Sequence, residues 1–318
     1  MGGFGARTPG SEGDVLARAY LAAAFEAAGA EVRIVREGSR RHLIADQAGD
    51  SEDVLLLVAA YPSLDPDLWI GDSGAALLLE LARVLPRERP QYTIRFALAD
   101  TREVAEEVGD EGESDSRVAL NDPAEGRKDD PSAARRRVVR AGESLARALD
   151  ASGDSSRVRG IFVFEGGGRA KFRAARDLRS HPLFRDDFWT SARALGFESL
   201  FPLDAGWASP RSLHLGFVTP ERKMDGVVAI VDEDRARPEI EQSRISSVGS
   251  AASLEALGRV TVDALGRIMH RLSRIDDFAS PKIPSDALSD DRGDASAELE
   301  AATPSEGSGE PSEITPSS

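Results

Sequence analysis

The sequence contains no cysteine. That absence removes disulfides, thiolate metal ligands and a cysteine nucleophile together. Lysine is scarce as well: four of the 40 basic residues are Lys and the rest are Arg. Positive charge is outweighed throughout, and the formal net charge is −15. No basic footprint for a phosphate backbone is left, so nucleic acid is not an expected partner. No stretch approaches the roughly 18 apolar residues that a membrane span needs. The opening residues, Met1-Gly2-Gly3-Phe4-Gly5-Ala6-Arg7, lack the apolar core of a signal peptide, and a cytoplasmic location is expected.

What remains is a chain of 318 residues, 41% hydrophobic and 30% charged, enough for one large α/β domain. Residues 11–28 read as a helix, opened by Ser11 with Asp14 in a capping-box-like start and stopped at Gly29-Ala30. Residues 31–37 alternate through Val32 and Ile34 like a half-buried strand, with 42–45 as its partner. Residues 54–60 are continuously apolar, as in a strand covered on both faces. Further helices are expected at 73–85, 142–149 and 184–195, and strands at 92–99, 158–165, 213–218 and 227–232. Residues 253–275 form a long amphipathic pattern, with Leu254, Leu257, Ala264, Leu265, Ile268 and Leu272 mainly on one side. Alternating strands and helices imply a layered α/β sheet.

Two segments have a different composition. Residues 105–138 are rich in Glu, Asp, Arg, Gly and Ser and read as an exposed, disordered insertion. Residues 279–318 are dominated by Pro, Ser, Glu, Asp and Ala and contain no aromatic residue. They read as an acidic disordered tail, too poor in apolar surface to offset the entropy of ordering. The expected folded domain is therefore 1–278.

An ordered series of short matches gives the chain a family likeness. Arg7-Thr8-Pro9-Gly10-Ser11 leads into an Ala-rich helix, and Arg41-His42-Leu43-Ile44-Ala45 follows. Asp72-Ser73-Gly74-Ala75-Ala76 then runs into Leu79-Glu80-Leu81-Ala82-Arg83. Later come Trp189, Ala192 and Leu195-Gly196-Phe197, and Ser253-Leu254-Glu255-Ala256-Leu257-Gly258-Arg259-Val260 closes the series. Over roughly residues 4 to 275 this series resembles the zinc-dependent aminopeptidase and glutaminyl cyclase family. The resemblance implies a three-layer α/β/α sandwich with a mostly parallel, mixed central sheet and metal ligands at strand ends. It also implies zinc as cofactor. Five side chains hold two zinc ions that activate a water and polarise a carbonyl, and cyclases keep one of the ions.

Carried over position by position, the implied ligands are largely missing. The first His falls on Ala60, and its orienting Asp on Pro62. The bridging Asp falls on Ile70, with Asp72 and Asp67 close by. The general base and the next ligand fall on Arg102-Glu103 without a gap, or on Glu106-Glu107 with a short insertion. The fourth ligand position is Glu165, at the end of Ile161-Phe162-Val163-Phe164. The last His falls on Ile240, or on Glu241 with one gap. The remnant candidates are thus Glu103 and Glu106 as catalytic groups, and Glu107, Glu165 and Asp72 as metal ligands. The degenerate positions are Ala60, Pro62, Ile70 and Ile240. All four His (42, 181, 214 and 270) lie elsewhere: His42 and His181 read as loop or strand-end residues, and His270 as a packing or surface residue. His214 lies near an Asp-Asp-His segment of the family, but Ser212-Leu213 precede it here.

Three functions fit this pattern. One is a catalytically degenerate, pseudopeptidase domain without a metal that binds a protein or peptide partner. The second is a plain scaffold subunit. The third is an active exopeptidase or cyclase-like enzyme with a rebuilt site of Glu103, Glu106, Glu107, Glu165 and Asp72, suited to harder cations than zinc. Gly71-Asp72-Ser73-Gly74 has the letters of a serine-protease motif but opens a helix and has no His base in a plausible context. Gly166-Gly167-Gly168 lacks the Lys and Ser/Thr of a phosphate loop and reads as a tight turn. Arg292-Gly293-Asp294 lies in the acidic low-complexity tail, where chance accounts for it.

Overall fold

The computed structural model describes residues 11–61, 70–85, 90–102, 131–204, 212–219, 222–223, 226–233 and 249–279, with the backbone alone at 70–72, 131–136, 219, 222–223 and 277–279. The chain divides into two units, Met1–Ser273 and Arg274–Ser318. Of the second, only the end of the last helix is described.

Helix α1 spans Glu12–Ala27. Ser11 caps it, its hydroxyl accepting the Asp14 N–H at 3.2 Å, and Gly29 ends it in the left-handed region at φ 85°. Strands β1 (Glu31–Glu37) and β2 (Arg40–Gln47) follow as an antiparallel pair. Strand β3 is Ser51–Tyr61, helix α2 is Ile70–Val84, and strand β4 is Tyr92–Asp100. Helix α3 (Pro131–Ala151) and strand β5 (Val158–Glu165) come next, then helix α4 (Pro182–Ala194). A two-stranded ribbon, β6 (Val218–Thr219) and β7 (Arg222–Lys223), precedes strand β8 (Val227–Val231) and helix α5 (Ala251–Ala279).

The six-stranded sheet has the order β1-β2-β4-β3-β5-β8. Strands β4, β3, β5 and β8 run parallel, while β2 pairs antiparallel with β1 and β4. Period-two alternation divides the core between the faces. Leu55, Leu57 and Ala59 of β3 pack with α1, α2, α4 and α5 on one face. Leu56 and Val58 pack with Ala141, Leu145 and Leu149 of α3 on the other. This mixed three-layer arrangement is the expected one.

Two segments differ from the sequence expectation. Helix α3 starts at Pro131 rather than at 142, so residues 131–138 are helix. Proline suits a first helical position, and the arginines that made this stretch look irregular are good helix formers. Residues 213–217 are not a strand, and only Val218 of the expected stretch joins one, the short β6. Leu213–Phe217 form a 3-10 turn because the Leu213 N–H is taken by the Glu165 carboxylate at 2.8 Å instead of a neighbouring strand. His42 is also misplaced as a loop or strand-end residue: it lies within β2 and is fully buried. Among the described residues, no helix is long and apolar enough to cross a membrane.

Candidate functional site

Strand order reverses at β3. The chain passes from β3 to β4 on one side and then crosses to β5 on the other. In open α/β sheets, such a switch point leaves a crevice at the carboxyl ends of the strands. Here those ends carry Ala60-Tyr61, Asp100, Glu165 and Asp232.

The register that pairs Ala59 with Phe164 sets Ala60 beside Glu165. Both belong to the α3 side of the sheet. Ala60 brings only a methyl group there. Glu165 is buried, and its Oε1 accepts the Leu213 N–H at 2.8 Å and the Ser212 hydroxyl at 3.3 Å. The carboxylate thus anchors the turn that carries His214. His214 is fully buried, with Nε2 3.4 Å from Asp177 Oδ2, and Asp177 also accepts the Ser180 hydroxyl at 3.0 Å.

Asp232 continues β8, its N–H donating to the Glu165 carbonyl at 3.0 Å. Its carboxylate accepts from the Arg169 guanidinium, and both side chains are buried. Arg169 arrives from the turn Gly166-Gly167-Gly168, where Gly166 has φ 81°. A Cβ at 167 would lie 2.3 Å from Leu257 Cδ2, and one at 168 would lie 2.6 Å from Ser73 Cβ. The glycine run therefore lets this turn press against α5 and α2. The same contact buries Ser73. Gly74 is equally constrained, since a Cβ there would lie 2.8 Å from Ala59 Cβ.

Asp100 faces the opposite side, toward α1. Its Oδ2 accepts the Arg41 N–H at 2.9 Å and Arg18 Nη2 at 3.2 Å. Arg102 donates Nε to Asp100 Oδ1 at 2.6 Å and Nη1 to Asp14 Oδ2 at 2.6 Å. Arg18 also donates Nε to Asp14 Oδ1 at 2.9 Å and stands over the Tyr61 ring at 5.4 Å. Burial alone would push the Asp100 carboxyl up. The Arg102 guanidinium, the Arg41 amide and Arg18 outweigh it and hold the group below the usual carboxylate range.

The sequence-expected site residues are only partly brought together. Ala60 and Glu165 are neighbours. The backbone of Ile70 and Asp72 forms the first turn of α2. Glu103, Glu106, Glu107, Pro62 and Ile240 lie outside the described residues. The remaining two His are placed at helices: His181 caps α4, its ring accepting the Phe184 N–H at 3.4 Å, and His270 is exposed on α5. Sequence reasoning gave no site role to Arg169, Asp232, Arg18 or Asp100, and did not foresee that Arg102 would bind Asp14 and Asp100. Their signal was slight, amounting to charged residues at the ends of apolar runs.

The described residues at this edge do not assemble a zinc donor set. Zinc sites are built from converging imidazole, thiolate or carboxylate groups. Among the described residues, no group of three or more His, Cys, Asp or Glu is placed to hold a metal ion. Asp100 and Asp232 instead take guanidinium partners, and Glu165 takes a hydroxyl and an amide.

Solved structures share this architecture. The glutaminyl cyclase of an Acidobacteriales bacterium matches with a TM-score of 0.59 at 19% identity, over 84% of this chain and 89% of that one. The glutaminyl cyclase of Porphyromonas gingivalis gives 0.63 at 16%, over 84% and 94%. A Zn-dependent exopeptidase from Parabacteroides distasonis gives 0.58 at 17%, over 82% and 92%. This chain has the glutaminyl cyclase and zinc-exopeptidase fold. No family model matches the sequence, and no curated protein matches it significantly. The likeness therefore lies in the fold, and the chemistry has to be argued from the site.

Proposed function

We propose that the chain is a catalytically degenerate, zinc-aminopeptidase-like domain that acts by binding a protein or peptide partner. The observation that carries this reading is the state of the strand-end carboxylates. In a metal site, carboxylates at these ends are compensated by cations bound from solution. Here Asp232 has Arg169 and Asp100 has Arg102 and Arg18, supplied by the chain itself. Ala60, beside Glu165, offers no donor atom. A cation entering this edge would meet fixed positive charge.

The test is metal content. The purified chain is equilibrated with zinc and separately with manganese, freed of excess ion, and its bound metal is quantified per chain. The expected result is less than one tenth of an equivalent of either ion. One or two tightly held ions, lost in Glu165→Gln or Glu107→Gln, would overturn the reading and favour an active enzyme with a rebuilt carboxylate site.

A further inference from the structure

Helix α1 meets solvent along a row that carries almost no charge. Val15 is 58% exposed, Leu16 48% and Tyr20 46%, and Ala19, Ala23 and Ala27 are exposed beside them. Glu12 and Glu26, at the two ends, are the only charged residues of the row. The outer row of a helix on a globular domain is ordinarily polar or charged. That of α5 is, with Glu255, Arg259, Arg267 and Arg274 exposed along it. The inner row of α1 is taken by the core through Ala17, Leu21 and Phe25, so the outer row is a second apolar face on the same helix. Ile34 of β1 adds to the apolar surface: it is 44% exposed, on the same face of its strand as Val32, which packs against that core. Together these side chains present roughly 400 Å² of apolar surface, within the range in which the largest patch of a protein is often functional.

We propose that this face joins a second copy of the chain, the two α1 helices crossing antiparallel about a two-fold axis near Ala19. Size selects that occupant. The bulky Val15 and Leu16 lie in the N-terminal half of the row, and the small Ala23 and Ala27 in the C-terminal half. Antiparallel pairing sets bulk against small at both ends at once, Leu16 of each copy over Ala23 of the other, which is the self-complementary fit of an isologous contact. Parallel pairing would set Leu16 on Leu16 and leave voids between the alanines, against the close packing that such contacts need. Val15, Ala19, Ala23 and Ala27 form one ridge of i, i+4 spacing, and Leu16 and Tyr20 the next. Ridges of this kind interlock at a crossing of about −50°. The helix ends diverge at that angle, and Glu12 of one copy clears Glu26 of the other.

Charge permits the pairing. Residues 103–130 carry eleven acidic residues against three basic, and 280–318 nine against two, which accounts for the whole of the −15. The rest of the chain is formally neutral, so the body that carries α1 brings no net charge to its own copy. A row without charge gives a strongly basic or acidic partner nothing to pair with. Two such faces would bury about 800 Å² of apolar surface, toward the low end of specific interfaces, so the expected dimer is a reversible one.

This goes beyond the strand-end reading, since the dimer stands or falls whether or not the chain binds metal. Sedimentation velocity of the full chain over a range of concentrations reads it. The expected result is a concentration-dependent shift from monomer to dimer that raised salt does not weaken. Leu16→Glu puts a carboxylate in the middle of the contact at a position the core does not use. It should raise the dissociation constant about tenfold or more, with thermal unfolding of the dilute chain unchanged. The absence of native cysteine allows a second readout. Ala19→Cys stands beside its own copy at the axis and should give a disulfide-linked dimer under mild oxidation. Ala27→Cys, more than about 20 Å from its copy in this pairing, should not. A monomer at every concentration would overturn the proposal and leave the face to a different protein or a membrane surface. A dimer that survives Leu16→Glu, or equal cross-linking at positions 19 and 27, would overturn it as well.

Discussion

His42 Nε2 lies 2.9 Å from Ser144 Oγ, deep beneath α3. The other ring nitrogen, Nδ1, accepts the Asp100 N–H at 3.1 Å, so the proton belongs on Nε2 and the ring donates to Ser144. Ser144 in turn donates to Glu37 Oε2 at 2.7 Å. One neutral imidazole thus ties β2 to β4 and α3, and through Ser144 to the end of β1. This relay works only while the ring is uncharged.

A pH dependence follows. Burial pushes the His42 imidazole from 6.5 down to about 4, with the Asp100 carboxylate opposing and Arg40 assisting. Its folded pKa is below its unfolded one, so its contribution to stability is complete above pH 6.5 and is lost as pH falls from there toward 4. A full shift of this size corresponds to about 3 kcal/mol at most. Urea unfolding at pH 7 and pH 5 measures it. His42→Asn, which keeps an acceptor near the Asp100 N–H, should lower stability at pH 7 yet flatten the change between the two pH values. An undiminished pH slope in the variant would mean that another group governs acid sensitivity.

Arg102 holds two buried carboxylates, Asp14 and Asp100, on one guanidinium. Removing one partner of a buried pair leaves charge uncompensated, at a cost of roughly 3–5 kcal/mol. Arg102→Met should therefore destabilise the fold by about that amount in urea titration. Arg83→Ala breaks the exposed Glu80–Arg83 pair and should cost under about 1 kcal/mol. Similar effects from both variants would mean that the Asp100 cluster is as solvated as the surface.

The Arg169–Asp232 pair invites a double-mutant cycle. Arg169→Met alone should cost about 3 kcal/mol or more, because Asp232 stays buried without its cation. Adding Asp232→Asn should recover part of that loss, since a neutral amide needs no cation. Strict additivity would show that the two side chains do not act as a unit. The cation role given to Arg169 would then fall.

The sheet was legible because its pattern is strong. The apolar run at 54–60, the alternation at 31–37 and the Ser11 cap each place an element by local chemistry alone. The start of α3 was not, because Arg-rich helix and Arg-rich loop look alike until something covers one face. The turn at Leu213–Phe217 was missed because it exists through a tertiary hydrogen bond to Glu165, which no local pattern encodes. At the candidate site, Glu165 could be placed at the end of β5 by its preceding apolar run. Arg18 beside Asp100 and Arg169 beside Asp232 could not, since they arrive from segments distant in sequence.

Two glycines separate close approach from mere helix membership. A Cβ on Gly142 of α3 would lie 2.2 Å from the Leu213 carbonyl oxygen, a collision of backbone that no rotamer relieves. Gly142→Ala should push the 213–217 turn away from α3, loosen the Leu213 N–H bond to Glu165, and cost several kcal/mol, about 2–4, as overpacking against a fixed neighbour does. Gly266 lies in α5 with ordinary helical φ, and a Cβ added there would meet nothing within 4 Å. Gly266→Ala should stabilise by roughly 0.5–1 kcal/mol through helix propensity and a less flexible unfolded chain. Thermal unfolding of the two variants should move in opposite directions from the parent. If Gly142→Ala were neutral, the 213–217 turn would have room to shift, and its anchoring by Glu165 would not be what fixes His214 beside Asp177.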